Sequence, residues 1–532
     1  MSPASATAPS SPAAHPTATP HSQPASQGLQ GKQLALVFLA LLLAMAVSSL
    51  SETIAATALP TIVGDLGGVD IMQWVETTYI LATTITMPIY GKLGDLLGRK
   101  KLLMLALSLY AAGKVVCGLA PSMTFLICGR AISGIGGGGL MILSQAILAD
   151  VVPPSRVGSY MGIIGSVFAV CNVLGPLLGG WFVQVTGWRM IFWFTVPLAA
   201  VALLGIAKLL PSDATHTRHA PIDLWGMTAI AAMVSCLVLA LAWGGTRFAW
   251  ESPVIIGLLC GFIGAVALLI LAEKRASAPV LPLSLFKNRN FVLASFTGFL
   301  INICFMGLVS YLPTFFQIVD RLTPEIAGLM CAPMSIGILI TSTASGHILT
   351  KTGKYKWMTL AMCAICAVGF VLLSSFLRPT TPIVEVLAIL FFLGFGIGLG
   401  LQILTIVVQN EFPHSLVGTA TAANNFFRQI GATLGTSLVG SLFTSRLVAD
   451  VTPLLPRADN ISLASLTPTY VEKLPASVQS IIATGYSEAL VPLFGYFVPL
   501  CILGFVAMLF LEKHPLAKTI NHGGTSGAAS KQ

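Results

Sequence analysis

Apolar residues fall in long runs separated by short polar or Gly/Pro-marked breaks, from about Leu34 to Leu511. A helix needs about 20 mostly apolar residues to cross the hydrocarbon core of a bilayer, and the runs have that length. They predict helices at roughly 33–63, 74–93, 101–119, 123–149, 157–182, 188–210, 223–243, 253–272, 290–318, 324–349, 356–376, 382–408, 417–446 and 490–511. The fold class is therefore an all-α polytopic membrane protein with fourteen transmembrane helices.

Composition strengthens this picture. Of 532 residues, 55% are apolar and 9% charged, about a third of the charged fraction of a soluble domain, which excludes a water-soluble enzyme. The net charge of +9 does not point to nucleic acid, because no basic cluster carries the aromatic residues or fold motif that such binding uses. Topology accounts for it instead. With a cytoplasmic amino terminus, 18 of the 28 Lys and Arg fall on the inner side, 7 on the outer, and Lys114, Arg130 and Arg428 within helices. Both termini are thus expected in the cytoplasm, in a plasma membrane whose anionic headgroups the inner basic clusters can meet. The ten cysteines, Cys363 and Cys366 among them, sit almost entirely in apolar runs and read as small apolar side chains, so no disulfide framework or metal site is expected.

The expected organisation follows the breaks. Residues 1–32 form a disordered cytoplasmic tail, rich in Ala, Pro and Ser and without the basic start of a signal peptide. A first six-helix bundle spans 33–212, two inserted helices 213–275, and a second six-helix bundle 276–512 with a long outer loop at 447–489. Residues 513–532 form a second cytoplasmic tail. Glycine-flanked basic turns at 91–101 and 346–356 occupy matching places in the two halves, the parallel-repeat plan of many secondary transporters.

The first of these turns, Gly91-Lys92-Leu93-Gly94-Asp95-Leu96-Leu97-Gly98-Arg99-Lys100-Lys101, resembles the signature loop of the major facilitator superfamily. The resemblance implies that Asp95 and Arg99, with Gly91 and Gly98 shaping the turn, belong to a gate latch between the bundles. Leu96 stands where a basic residue is frequent, which thins that network. On the fifth helix, Gly175, Pro176, Gly179 and Gly180 follow Cys171 and are preceded by Gly158, Gly162 and Gly165, a set suited to close helix approach and bending. This segment is similar to the antiporter motif of exporting members, with Cys171 in place of the usual glycine. Generic small-residue contact is the alternative reading.

Leu50-Ser51-Glu52-Thr53 through Ala58-Leu59-Pro60 resembles the first-helix signature of the fourteen-helix drug:proton antiporter group, a set of multidrug efflux permeases. Ser51 replaces that group's acid, and Glu52 is the adjacent carboxylate, rotated about 100° around the helix. Arg130, inside the fourth helix, is costly in hydrocarbon unless it faces water or an acid. Glu52 and Arg130 are expected to meet in a central cavity as protonation site and tuning partner. Glu76 and Lys114 are equidistant from the turn near residue 95 and are expected at matched depth as an ion pair, with proton or substrate handling as the alternative. Arg428, at the inner end of its helix, is expected at headgroups or the inner gate. The second bundle offers no mid-membrane carboxylate, with Glu385 and Glu411 near helix ends.

No phosphate loop, nucleophile triad or metal cluster is present in the sequence, so an ion gradient is the expected energy source and no cofactor is expected. The residues and the resemblance imply a proton-coupled antiporter, monomeric and not an enzyme, that exports small amphipathic compounds by alternating access. A carrier of one specific metabolite, in either direction, and a non-transporting receptor of the same fold are the other readings.

Overall fold

The computed structural model describes residues 31–68, 71–211, 221–245, 247–378, 381–454, 471 and 474–516. The two expected tails fall almost wholly outside the described residues, as do positions 455–470 of the expected outer loop. The first half of the chain forms α1 (Lys32–Leu66), α2 (Gln73–Leu97), α3 (Arg99–Gly118), α4 (Met123–Val151), α5 (Pro154–Val185) and α6 (Arg189–Leu209). Then come α7 (Leu224–Trp243) and α8 (Pro253–Arg275). The second half comprises α9 (Arg289–Val309), α10 (Leu312–Ile318), α11 (Pro324–Leu329), α12 (Ala332–Thr352), α13 (Lys356–Phe376), α14 (Ile383–Glu411), α15 (His414–Val451), α16 (Ala476–Gly495) and α17 (Phe497–Leu509).

Local chemistry sets many of these boundaries. Ser122, Asp223, Ser252 and Asn288 each accept a bond from a backbone N–H three residues on and so cap α4, α7, α8 and α9. Pro154 and Pro253 open their helices where no N–H is needed. Gly98, at φ 98°, makes the sharp turn between α2 and α3 that a side chain would strain.

Among the described residues, twelve helical stretches are long and apolar enough to cross a membrane. The helices α2, of 25 residues, and α15, of 38, are long enough but more polar. Apolarity alone thus supports twelve spans, and the expected fourteen is reached only by counting these two, which pack against each other where the two bundles meet. The outer side chains of the spanning helices, such as Ile263 and Val384, are apolar and exposed, as a lipid-facing surface requires.

Three expected boundaries are corrected. The run at 290–318 breaks at Ser310 and Tyr311 into α9 and α10, and the run at 324–349 divides into α11 and α12, with Pro313 and Pro333 each in a first turn. The last helical region starts at Ala476, not near 490, because Val478, Ile482 and Tyr486 bury themselves in the second bundle's core. The loop expected at 447–489 is correspondingly shorter.

Helices α1–α6 contact one another, α9 and α12–α17 form the second group, and the α7–α8 hairpin leans on α2 and α15 beside the seam between them. Across the seam, α5 lies along α12 through small residues. Gly158 and Gly162 approach Gly346 and Ser342 so closely that an added methyl would overlap backbone.

Candidate functional site

The turn at 91–101 sits at one end of the seam and ties the groups together. Asp95 accepts from Arg99 at 2.7 Å through one oxygen, and from the backbone N–H and hydroxyl of Thr419 on α15, both at 2.7 Å, through the other. Arg99 is buried and also donates to the Ala146 carbonyl at 2.9 Å, to the Asp150 carboxylate, and to the His414 carbonyl at 3.2 Å. Charge-assisted bonds of this kind are the stronger class of hydrogen bond. Gly91 permits the approach, since a Cβ there would overlap the Ala422 methyl and lie 2.9 Å from the Gly418 carbonyl.

Further cross-seam bonds join Ser159 with Thr350 at 3.0 Å, Ser166 with Thr343 at 2.6 Å, and Asn425 with Gln145 at 3.0 Å. Among the described residues, hydrogen bonds between the two groups stop at this level. Toward the opposite end, the Cβ of Pro176 comes within 3.9 Å of where a Cβ on Gly328 would stand. Among the described residues, the seam is bonded at the Asp95 end and shows no such bond at the other.

The fifth-helix glycines divide by neighbour. Gly175 presses on Thr53 and Gly179 on Thr57 of α1, while Gly180 has open space beside it. The Thr53 hydroxyl also donates to the Cys171 carbonyl at 3.3 Å. Pro176 lies within a continuous α5 and faces the second group.

Toward the end away from Asp95, four charged side chains gather inside the first group, with partners different from those expected. Arg130 is wholly buried and donates to Glu76 at 3.3 Å and to the Val75 carbonyl at 3.0 Å, with its guanidinium 4.2 Å from the centre of the Tyr79 ring. One Arg130 nitrogen and one Glu76 oxygen remain buried without partners. The expected Glu76–Lys114 pair is absent: Lys114 is buried and donates to the Ser51 hydroxyl. The reason is direction around the helix. Distance from the turn fixes depth, but Gly134, Gly137 and Gly138 bring α4 against α2, so Arg130 reaches Glu76 first, while Lys114 on α3 points toward α1.

Glu52 makes no bond to Arg130 either. It is exposed to solvent although surrounded by protein, and it lies within electrostatic range of both Glu76 and Arg130. A group with both properties stands on the wall of a cleft.

Sequence reasoning missed Asp150, His414, Thr419 and the Gln145–Asn425 bridge as members of the seam network. The only signal was their place at or near helix ends facing a charged turn. Of the two places expected for Arg428, headgroups are corrected: it is buried within the second group, bonded to Thr405 at 3.5 Å and at 3.4 Å to Asn425, the residue that bridges to Gln145, with its Nε unpartnered.

Comparison with known proteins places this arrangement. A Mycobacterium tuberculosis MFS-type transporter is 36% identical over 90% of this chain and 70% of its own. The Bacillus subtilis multidrug transporter protein MdtP is 33% identical over 86% of this chain and 82% of its own. The crystal structure of the human organic anion transporter MFSD10 superposes with a TM-score of 0.63 at 17% identity, over 90% of this chain and all of that one. With its helical groups joined along a polar seam and residues 41–436 matching the family profile, the chain belongs to the Major Facilitator Superfamily and is a multi-pass membrane transporter.

Proposed function

We propose that this transporter is a proton-coupled antiporter that exports amphipathic compounds, cationic or neutral, from the cytoplasm. The Asp95 end and both termini lie on the cytoplasmic face of the plasma membrane, the side to which the basic residues assign them. The state described is then closed to the cytoplasm and open outward, with the Asp95–Arg99–Thr419 contacts as its latch and the Gly175–Gly179 contact of α5 with α1 as a hinge. That the B. subtilis relative is a multidrug transporter supports the range of compounds.

The observation that carries the reading is the cluster of Glu52, Glu76 and Arg130 inside the first group, toward the end away from Asp95. Ionisable groups inside a membrane protein are expensive and mark ion or substrate paths. Glu52, on the cleft wall, takes a proton from outside, and Arg130, fixed by Glu76, Val75 and Tyr79, sets the field it feels. Substrate and proton each weaken the other's binding, so proton entry expels substrate outward and substrate loading expels the proton inward.

Purified protein in liposomes, with an imposed pH step and a panel of dyes, tests this. Glu52→Gln is expected to express normally and to lose pH-driven efflux. Unimpaired efflux in that variant rejects Glu52 as the protonation site, and wild-type dye movement indifferent to the gradient rejects proton coupling.

A further inference from the structure

Lys114 is not used by this mechanism, and its surroundings are unusual. It is 1% exposed, and among the described residues its one hydrogen-bond partner is the neutral Ser51 hydroxyl. The rings of Tyr110, Tyr79 and Phe192 surround the ammonium at 5.0, 5.5 and 5.5 Å. The titratable or charged groups facing it are Glu76 and Tyr79 from α2, Tyr110 and Cys117 from its own helix, and Arg130 from α4. Glu76 is already bonded to Arg130, and α6 contributes only the Phe192 ring. On α1 the position opposite the ammonium is Ser51, while the neighbouring Glu52 turns to the cleft.

Aromatic faces attract a cation but do not neutralise it. A lysine taken out of water without a counter-charge gives up its proton far more readily than an arginine does. The fold thus buries an amine beside a neutral hydroxyl and three aromatic rings, one side chain behind the cleft wall.

We propose that Lys114 is a second proton-carrying group of this transporter, working through Ser51 and giving the site a charge swing suited to a monovalent lipophilic cation. The proposal rests on the proton-coupled reading above. With Glu52 and Glu76 ionised, Arg130 charged and Lys114 neutral, the four groups sum to −1 and attract a cation. With Glu52 neutral and Lys114 an ammonium they sum to +1 and repel it. On release, the N–H bond of the ammonium breaks, the electron pair stays on Nζ, and the proton passes to cleft water by way of the Ser51 hydroxyl, which can accept and donate. Uptake is the reverse. Two protons then move against one cation, and Glu52→Gln fails because its deprotonated site is no longer negative.

The pH dependence of ethidium binding to the purified protein is the test. If two protons compete with the cation, wild-type affinity falls about a hundredfold per unit of acidification in the steep range. Lys114→Gln and Lys114→Arg, each fixed in one charge state, are expected to fall only about tenfold per unit, with the Arg variant weaker throughout. The size-exclusion profile and melting temperature of the Gln variant in detergent report whether it is folded. Ser51→Asp, which gives the ammonium a fixed counter-charge, is expected to show the same tenfold dependence and decides the matter should neither Lys114 variant fold. An unchanged hundredfold slope in these variants overturns the proposal and leaves Lys114 a structural role, as does a wild-type slope of only tenfold. A wild type with no pH dependence instead overturns proton coupling itself.

Discussion

The two helical groups share one architecture but differ in what their interiors can do. The first buries Arg130 and Lys114 beside Glu76, with Glu52 on the cleft wall. In the second, Arg428 is the charged side chain buried among the helices, set in a layer of amides and hydroxyls, while the buried Glu411 carboxylate lies at a helix end beside His514. Asn424 bonds Thr405 and Ser295, both at 3.3 Å, and Gln409 bonds Thr421 at 3.2 Å. A layer of neutral groups orients a ligand without changing charge, whereas carboxylates and an amine can gain or lose a proton. Equal scaffolds therefore do not imply equal roles: one half holds the switchable charge and the other a fixed polar surface.

The sharpest way to break this comparison is to remove each buried arginine. Arg130→Met strands Glu76 and the Val75 carbonyl, and is expected to cost about 3 kcal/mol and to abolish transport, since breaking a buried pair leaves an uncompensated charge. Arg428→Met strands no carboxylate, and a change within about 1 kcal/mol is expected, with pH dependence of flux retained. Thermal melting in detergent and dye flux in liposomes check both, and equal losses would erase the distinction.

A smaller effect separates the seam from the interiors. Gly91→Ala forces α2 from α15 and is expected to cost about 1–3 kcal/mol, the usual penalty of overpacking. A cysteine placed at Thr350, opposite Ser159, should become more reactive to maleimide in that background. Gly180→Ala, with open space beside it, serves as the control and should leave reactivity unchanged.

The smallest effect is expected at the far end of α1, where Asp65 accepts from Trp188 and Arg189, both at 2.9 Å. The Trp188 bond first, then Arg189, hold its carboxyl below the usual carboxylate range. The stabilisation is therefore present above that range and is lost as pH falls through the lowered value. Asp65→Asn should lower the melting temperature slightly at neutral pH, with the difference vanishing in acid. This exposed pair gives the baseline against which the buried pairs are judged.

Much of the helix order was legible because spanning helices announce themselves by apolar length. The more polar α2 and α15 are harder to recognise, since their burial comes from neighbours and not from their own composition. The Gly91–Lys101 turn was legible because a turn's chemistry is local, but its partners Thr419 and His414 lie more than 300 residues away and carry no matching pattern. Counting residues from the turn gave the depth of Glu76 and Lys114, yet pairing also depends on azimuth, which glycine contacts between α2 and α4 decide. The early start of α16 was hidden because its apolar residues are interrupted by Gln479, Ser480 and Glu488.

The length of α15 has a mechanical consequence. Its 38 residues form a rod of about 57 Å, anchored near its start by Arg99 and Asp95. Farther along it carries Asn424, Asn425 and Arg428, and then Ser441, which accepts from Trp250 in the connection between α7 and α8 at 2.8 Å. A stiff lever hinged at one membrane face and touching the extra hairpin at the other conveys displacement directly, so unlocking at the Asp95 end would be felt by the accessory helices without a relay of side chains.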